Sequence, residues 1–594
     1  MRVAHFVCIL AGLTASWASV SAAADTPRNV VLVLIDDLSH YGVTAYGATK
    51  LSCTGGEFEN VTISTPHMDR LAEQGMRCAH AFAYPLCEPT RVALMSGKWN
   101  HRNFLKPKSQ HASDITFGDV FKKAGYSTGM TGKWKQTRGT KEIPAQEYIS
   151  QFGWDEYCCF DVVIAGRRYI NPNLVINGKP VNYSAKSGMD PATSRRWYGP
   201  DVCHRFALEF IERHKDQPFF LYYPMVLVHA EHKPTPDTLP ATVFDEFDDA
   251  IDNKNGHHGD DRKYFPNMLA YADKQVGDLV AKLDALGLRQ DTLVVVMGDN
   301  GTKECFTHHL PDGTSYPGGK GGTTDTGTHV PLILSLPGII QPSVYDGLVD
   351  LADLYPTLCE AVGIVPPNLN EIDGISFWPQ MLGKTSAEHR QASYVWYNGN
   401  NSCNDLSELQ EYAFDKQFKR YAPSAVFPRG RFFDLRADLF ETGGATKVKA
   451  PGWNKWHYSG LDLDNLTAEQ QAAFDRLGKV LEANRPVPVK AIHISGDPLN
   501  LVPGEVSSLR AEITPRNATR NNIIWESSDP AVASVDKLGA VTAHRAGAAT
   551  LSAYAWHDAM PLADGQSESF SRRGLSAHVK VTVRTAGAAT PKGP

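Results

Sequence analysis

Two stretches constrain this chain more than any others: NVVLVLIDD (Asn29–Asp37) and DTLVVVMGDNG (Asp291–Gly301). Each is an unbroken aliphatic run that ends abruptly in carboxylates. An alternating strand has one dry face, whereas a continuous apolar run has two. Burying both faces of a strand calls for a mostly parallel sheet covered by helices on each side. The segments between the runs agree. DVFKKAGY (Asp119–Tyr126) has a helical pattern with Gly125 placed to end it, and Met268–Leu286 is helical just before the second run. PFFLYYPMVLVH (Pro218–His229) reads as another strand. In α/β sheets of this kind, ligands sit beyond the carboxyl ends of the strands. If both runs are central, Asp36, Asp37, Asp299 and Asn300 gather at one edge.

At 594 residues the chain exceeds one ordinary domain. Three regions separate. Strand–helix alternation extends to about Gly374. From Ile375 to Pro488 the pattern is a smaller α+β lobe, in which RGRFFDLRADLFET (Arg429–Thr442) reads as a short hairpin and LTAEQQAAFDRLGKVLEAN (Leu466–Asn484) as a terminal helix. From Val489 to Thr585 short alternating strands divided by Gly and Asp predict an all-β unit. Its ITPRNAT, IIWESSDPAVASVDKLGAVTA and GAATLSAYA segments resemble a bacterial immunoglobulin-like domain of group 2, a spacer or adhesion module in which Trp525 reads as core. The last residues, 586–594, read as an unstructured tail.

The first 23 residues read as a secretory signal: Arg2, a short apolar run, then small residues around Ala22-Ala23-Ala24, with cleavage near Ala23. No later segment has the ~18 apolar residues needed to span a bilayer. The expected product is secreted or periplasmic. A net charge of −6 without basic clusters argues against nucleic acid as a partner. Of ten cysteines, Cys8 leaves with the signal, so an odd number remains and one at least is unpaired or chemically altered.

Adjacent Asp36 and Asp37 repel each other and need a counter-charge; on its own such a pair is as readily a solvated turn. Asp299-Asn300 is by itself a turn signal. Together they offer three carboxylates and an amide oxygen, a set suited to Ca2+, with Mg2+ as the alternative, and unsuited to Zn2+. Cys87 opens Cys87-Glu88-Pro89-Thr90-Arg91. Pro89 suits a helix's first turn, so the thiol would feel the helix's positive end, with Arg91 adding charge. The plainer reading is a buried structural cysteine.

CEPTRVALMSG (Cys87–Gly97), taken in order with IDD, GKW, a strand-end histidine, GDNG and GKGGT, resembles the sulfatase family of the alkaline-phosphatase-like superfamily, over roughly residues 29–442. The resemblance implies a catalytic domain at 24–374, a C-terminal subdomain at 375–488 and the immunoglobulin-like domain at 489–585. It implies that Cys87 is converted by a maturation enzyme to Cα-formylglycine. Asp36, Asp37, Asp299 and Asn300 match the metal ligands, and the modified Cys87 would touch the cation. Arg91 matches the arginine that holds the formylglycine, and Lys133 a lysine that contacts formylglycine and sulfate. His229 matches the histidine on the leaving-group side, and Lys320 the lysine gripping the sulfate and ester oxygen. The hydrated aldehyde would attack sulfur, and its second hydroxyl would expel sulfate. By residue type alone, His232, His308 and His309 are as ligand-like as His229.

Two departures stand out. Lys135 occupies the place of a histidine that familiar sulfatases carry two residues after the GKW lysine. TDTGTHVP (Thr324–Pro331) replaces a segment in which many relatives have an acidic residue, Gly-Gly and an arginine. The expected function is hydrolysis of sulfate monoesters on a sulfated glycan or a small ester. The alternatives are a phosphonate or phosphate ester hydrolase of the same superfamily and an inactive carbohydrate-binding protein.

Overall fold

The computed structural model describes residues 26–585, except 56, 104–108, 137–143, 161, 163–166, 239–261, 400–405, 450–455, 496–497 and 556–574. The expected leader (1–23), the expected tail (586–594) and Cys403 lie outside the described residues.

Ten strands form the central sheet. In spatial order they are Ser343–Asp350, Met76–Phe82, Leu332–Ser335, Thr292–Gly298, Asn29–Ile35, Phe219–Pro224, Ser127–Lys133, Glu156–Phe160, Asn173–Ile176 and Lys179–Asn182. The five strands from Thr292–Gly298 to Glu156–Phe160 run parallel, and the flanks bring in antiparallel neighbours, so the sheet is mixed around a parallel centre. The first strand shows why. Val30, Leu32 and Leu34 feed one hydrophobic core and Val31, Val33 and Ile35 the other, all fully buried. Burial of such side chains is worth about 1.5–3 kcal/mol each, and only a helix-covered, two-faced strand collects it on every residue. Helices Gly199–Arg213 and Phe265–Ala285 cover one face; Cys87–Ser96, Phe117–Lys123 and Leu354–Ala361 cover the other.

Two expected elements are shorter than their apolar patterns. The run Pro218–His229 is strand only over Phe219–Pro224; from Met225 the chain turns across the end of the first strand, with Val228 N–H donating to the Asp36 carbonyl at 2.9 Å. Arg429–Thr442 is not a hairpin. Phe432–Asp434 is instead the edge strand of an antiparallel sheet with Ser393–Asn398, Leu409–Phe414 and Phe418–Tyr421, packed on helix Ala468–Ala483. That helix begins with a capping box in which Thr467 and Gln470 exchange hydrogen bonds.

The C-terminal strands form separate small sheets around Val541, Leu551, Ala553 and Val581, with Trp525 packed against this core. The unit is docked on the first domain. Lys98, just past helix Cys87–Ser96, is buried and donates to Asn521 Oδ1 at 2.9 Å and Asn522 Oδ1 at 3.2 Å. Asn522 Nδ2 donates to Asp114 Oδ1 at 2.6 Å, and Lys537 pairs with Asp119 at 2.7 Å. The eight described cysteines are all free thiols.

Candidate active site

The expected groups are carried beyond the carboxyl ends of adjacent parallel strands. Ile35 pairs with Gly298, so the next residues, Asp36 and Asp299, emerge side by side. Lys133 is the last residue of the neighbouring strand but one. Gly132 before it has φ 118°, and a Cβ there would stand 2.0 Å from the Pro224 carbonyl oxygen, so only glycine fits. Asp37 adopts a left-handed φ of 60°, unusual for a non-glycine residue, which turns the chain back over the sheet edge.

Cys87 is the first residue of helix Cys87–Ser96. Glu88 in the first turn suits the helix dipole, Pro89 has no N–H to leave unsatisfied there, and Gly97 at φ 65° ends the helix. Thr90 ties the helix to the second acidic loop by donating to the Asp299 carbonyl at 2.8 Å. The thiol is not acidified as the helix end and Arg91 suggest. Burial pushes it above its ordinary value, against the pull of Lys133 and Lys320.

The charges form one network. Arg91, fully buried, donates to Asp299 Oδ2 at 2.8 Å, lies 3.6 Å from Asp36 Oδ2 and donates to the Lys133 carbonyl at 3.1 Å. Lys133 Nζ donates to Asp36 Oδ2. Lys320 Nζ donates to Asp37 Oδ2 at 2.6 Å. Burial works to raise Asp36, but Lys133, Arg91 and Lys320 together hold it below its ordinary value. Burial, and then the charge on Asp36, push Asp299 up. Burial works to discharge Lys320, and Asp37 overrules it, so this ammonium stays protonated.

The donor set fits a hard cation. Ligand atoms of Asp36, Cys87 and Asp299 lie within 4.8 Å of one another, and so do those of Asp36, Asp37 and His229. Asp36 Oδ1 and Asn300 Oδ1 are buried acceptors with no hydrogen-bond partner among the described residues. Buried oxygens are seldom left so, and a bound cation would satisfy both.

His229 stands at the rim, its Nε2 3.9 Å from Asp37 Oδ2. Arg168, which the motif reading missed, donates to His229 Nδ1 at 2.8 Å and to the Ala230 carbonyl at 3.2 Å. Nδ1 also faces the Ala230 carbonyl, which can only accept, so the guanidinium and the carbonyl call for opposite tautomers of the neutral ring. Burial, and then the cations Lys133, Lys320, Arg168 and Lys135, drive His229 well below its ordinary value. No sequence signal singled out Arg168, because it reaches the site from outside every quoted motif. The other histidines separate cleanly. His232 packs edge-on against Phe265 and Phe306, His308 is fully buried, and His309 bonds Ser52 and Ser315. TDTGTHVP is structural: Asp325 accepts from Tyr316 at 2.6 Å and pairs with His329 at 3.3 Å, and a Cβ at Gly301 would meet the Thr326 carbonyl oxygen at 2.0 Å.

Residues 28–364 match the family model described as Sulfatase, and residues 488–556 that of the bacterial Ig-like domain (group 2). The chain is 28% identical to arylsulfatase A of Bos taurus over 388 residues, 61% of this chain and 69% of that one. It is 26% identical to N-acetylgalactosamine-6-O-sulfatase of Bacteroides thetaiotaomicron over 432 residues, 61% of this chain and 78% of that one. Among solved structures, Ps i-CgsB in complex with k-i-k-neocarrahexaose has the same fold, with a TM-score of 0.56, 22% identity and coverage of 77% of this chain and 92% of the other. The phosphonate monoester hydrolase of Agrobacterium radiobacter is similar in fold at a TM-score of 0.52 and 19% identity, covering 77% and 95%.

Proposed function

Because the chain belongs to the sulfatase family and is thereby a sulfuric ester hydrolase, we propose that it cleaves sulfate monoesters of glycans through a formylglycine made from Cys87, with Ca2+ or Mg2+ held by Asp36, Asp37, Asp299 and Asn300. The observation that carries this reading is the convergence of Asp36, Cys87 and Asp299 within 4.8 Å, ringed by Arg91, Lys133 and Lys320. The glycan assignment draws support from relatives named as N-acetylgalactosamine-6-sulfatases and from the appended β-domain.

The net reaction takes water and a sulfate ester to an alcohol and sulfate. The formylglycine hydrate would supply the attacking oxygen, and a bound cation would supply Lewis acidity and positive charge beside it. The chain's own residues account for the rest. Arg91, locked between two carboxylates, fixes the start of helix Cys87–Ser96. Lys133 and Lys320 carry positive charge into a buried site where the sulfate oxygens gain negative charge, and such preorganised groups are worth far more there than in water. Lys320 holds a proton for a departing oxygen, and His229 Nε2 faces the Asp37 carboxylate on the same side. A neutral thiol at position 87 is a poor nucleophile, in keeping with its being a precursor. We further propose export by a leader cleaved near Ala23 and the domain divisions 24–374, 375–488 and 489–585.

The test is to express the protein with a formylglycine-generating enzyme and weigh the peptide spanning Cys87. The mass expected is that of the aldehyde. Turnover of matched aryl sulfates and phosphonates then follows. An unmodified thiol in active protein, or a preference for phosphonates, overturns the proposal.

A further inference from the structure

The loop that carries Asp299 and Asn300 runs on to Cys305 and there enters the strand Phe306–His309. It does more than present the acidic pair. The Thr302 carbonyl accepts from the Gly319 N–H at 2.9 Å and from the Lys320 N–H at 3.0 Å, and Gly301 N–H donates to the Gly327 carbonyl at 2.9 Å. The backbone of Lys320 therefore hangs on this loop. At its far end the loop meets the hairpin of strands Lys50–Cys53 and Phe58–Thr62. Cys53 pairs with Phe306, and Thr54 N–H donates to the Cys305 carbonyl at 2.7 Å.

Two thiols stand at this junction. Cys305 lies in the turn that Phe306 N–H closes on the Lys303 carbonyl at 3.1 Å, so it escapes the strand's alternation, and its thiol and that of Cys53 are hydrogen-bond partners. Neighbouring strands lie about 4.8 Å apart and a disulfide spans roughly 4.4–6.8 Å between Cα atoms, so chains bonded this directly hold the two cysteines within reach of a bridge. Burial, then Glu57, raise the Cys53 thiol; burial, then Cys53, push Cys305 up to about 12. Arg262, which donates to the Thr54 carbonyl at 3.4 Å, pulls both down and supplies positive charge for a transient thiolate. A place that resists two lasting thiolates suits a neutral disulfide. It does not suit a soft metal ion, which needs deprotonated sulfur; among the described residues no His, Cys, Asp or Glu gathers with these sulfurs into a three-ligand cluster. Cys158 and Cys203 also touch, but both are sealed in the core, whereas Cys305 is only half-buried and open to an oxidant in solution.

We propose that Cys53 and Cys305 are an oxidative modification site: a disulfide oxidant joins them, and the bridge fastens the acidic loop to the Lys50–Thr62 hairpin. The oxidation takes two electrons. The Cys305 sulfur gives up its proton, attacks one sulfur of the oxidant's disulfide and releases the other as a thiolate. The Cys53 sulfur then gives up its proton, attacks the Cys305 sulfur of the mixed disulfide and releases the second thiolate. One S–S bond forms as one breaks, and the two protons end on the two released thiols. The bridge closes a long loop of chain, the case in which a cross-link restricts the unfolded state most. The proposal stands independently of the sulfatase reading.

The test is peptide mapping without reduction. The full chain is purified without reductant, equilibrated with glutathione disulfide at about pH 8.5, alkylated in denaturant and digested. The expected result is that the peptides holding Cys53 and Cys305 travel as one species, about 2 Da lighter than their sum, which separates on reduction, while the count of alkylated thiols falls by two against a reduced sample. Reduction is expected to lower the melting temperature of the wild type by about 5 °C and to leave that of Cys53→Ser/Cys305→Ser within about 1 °C of its unreduced value. Recovery of both cysteines alkylated, or of either linked to a different cysteine, overturns the pairing. A linked peptide whose reduction leaves the wild-type melting temperature unchanged overturns the fastening role. Should the serine pair fail to fold, Cys53→Ala/Cys305→Ala takes its place as the reference, and the peptide map of the wild type decides the pairing in either case.

Discussion

At the scale of single residues, the site is a set of buried charges that tolerate each other only as a group. Arg91 is the keystone, since it faces both Asp36 and Asp299 with no exposure of its own. Arg91→Ala leaves two carboxylates buried without it, and a loss of about 3–5 kcal/mol in urea unfolding is expected, larger than for any surface arginine. His229 and Arg168 give a prediction about chemistry instead. If His229 assists the departing oxygen, His229→Ala lowers kcat/KM roughly a hundredfold or more on sugar sulfates, whose alkoxides are poor leaving groups, and far less on an activated aryl sulfate. Arg168→Leu shifts the same ratio in the same direction by a smaller factor, because it removes the guanidinium that holds the ring at Nδ1. Equal effects on both classes of ester assign the two residues to packing.

At the scale of elements, the docking of the β-domain concentrates on a few side chains near the end of helix Cys87–Ser96. Asp114 there faces Lys98, Lys537, Asn522 and Gln110, yet burial wins and its carboxyl is pushed up to about 6. The folded state therefore holds the Asp114 proton more tightly than the unfolded chain does. That contribution is full below the ordinary carboxylate value and disappears as pH rises to about 6. Asp114→Asn removes it, so the melting temperature of the variant relative to wild type rises between pH 4 and 6 and levels off above. A flat difference across that range contradicts the assignment. His111, three residues away, is held down to about 3 by burial and Lys537. Asn521 and Asn522 of the β-domain are structural partners of Lys98 in this docking.

For the molecule as a whole, the proposed cation would link loops that follow separate strands. Removing it with a chelator and adding back Ca2+ should raise the unfolding free energy by RT ln(1 + [Ca2+]/Kd), about 2.7 kcal/mol at a hundredfold excess over Kd, and Asp36→Asn/Asp299→Asn should abolish that response. The α/β class was legible because the strand at Asn29–Ile35 carries no polar residue on either face after Asn29, a pattern few other architectures can bury. The carboxylates of the proposed metal site stood out in the sequence because Asp36 and Asp299 directly follow such strands. What was hidden arises from contacts between parts distant in sequence. Phe219–Pro224 stops where the chain must cross the sheet edge, although the apolar run continues to Val228. Arg168 sits in no motif, and only folding brings it to His229. The neutral thiol was hidden for the same reason, since burial is a property of the assembled site.

The pairing of Ile35 with Gly298 has one more consequence. Neighbouring strands lie about 4.8 Å apart whatever their side chains, so the gap between the first carboxylates beyond them is a gauge supplied by backbone hydrogen bonding. Point changes inside either strand that keep the sheet closed leave this gauge intact. A single inserted residue in one strand, by contrast, throws its terminal carboxylate out of step with its neighbour and disarms the enzyme while the fold survives.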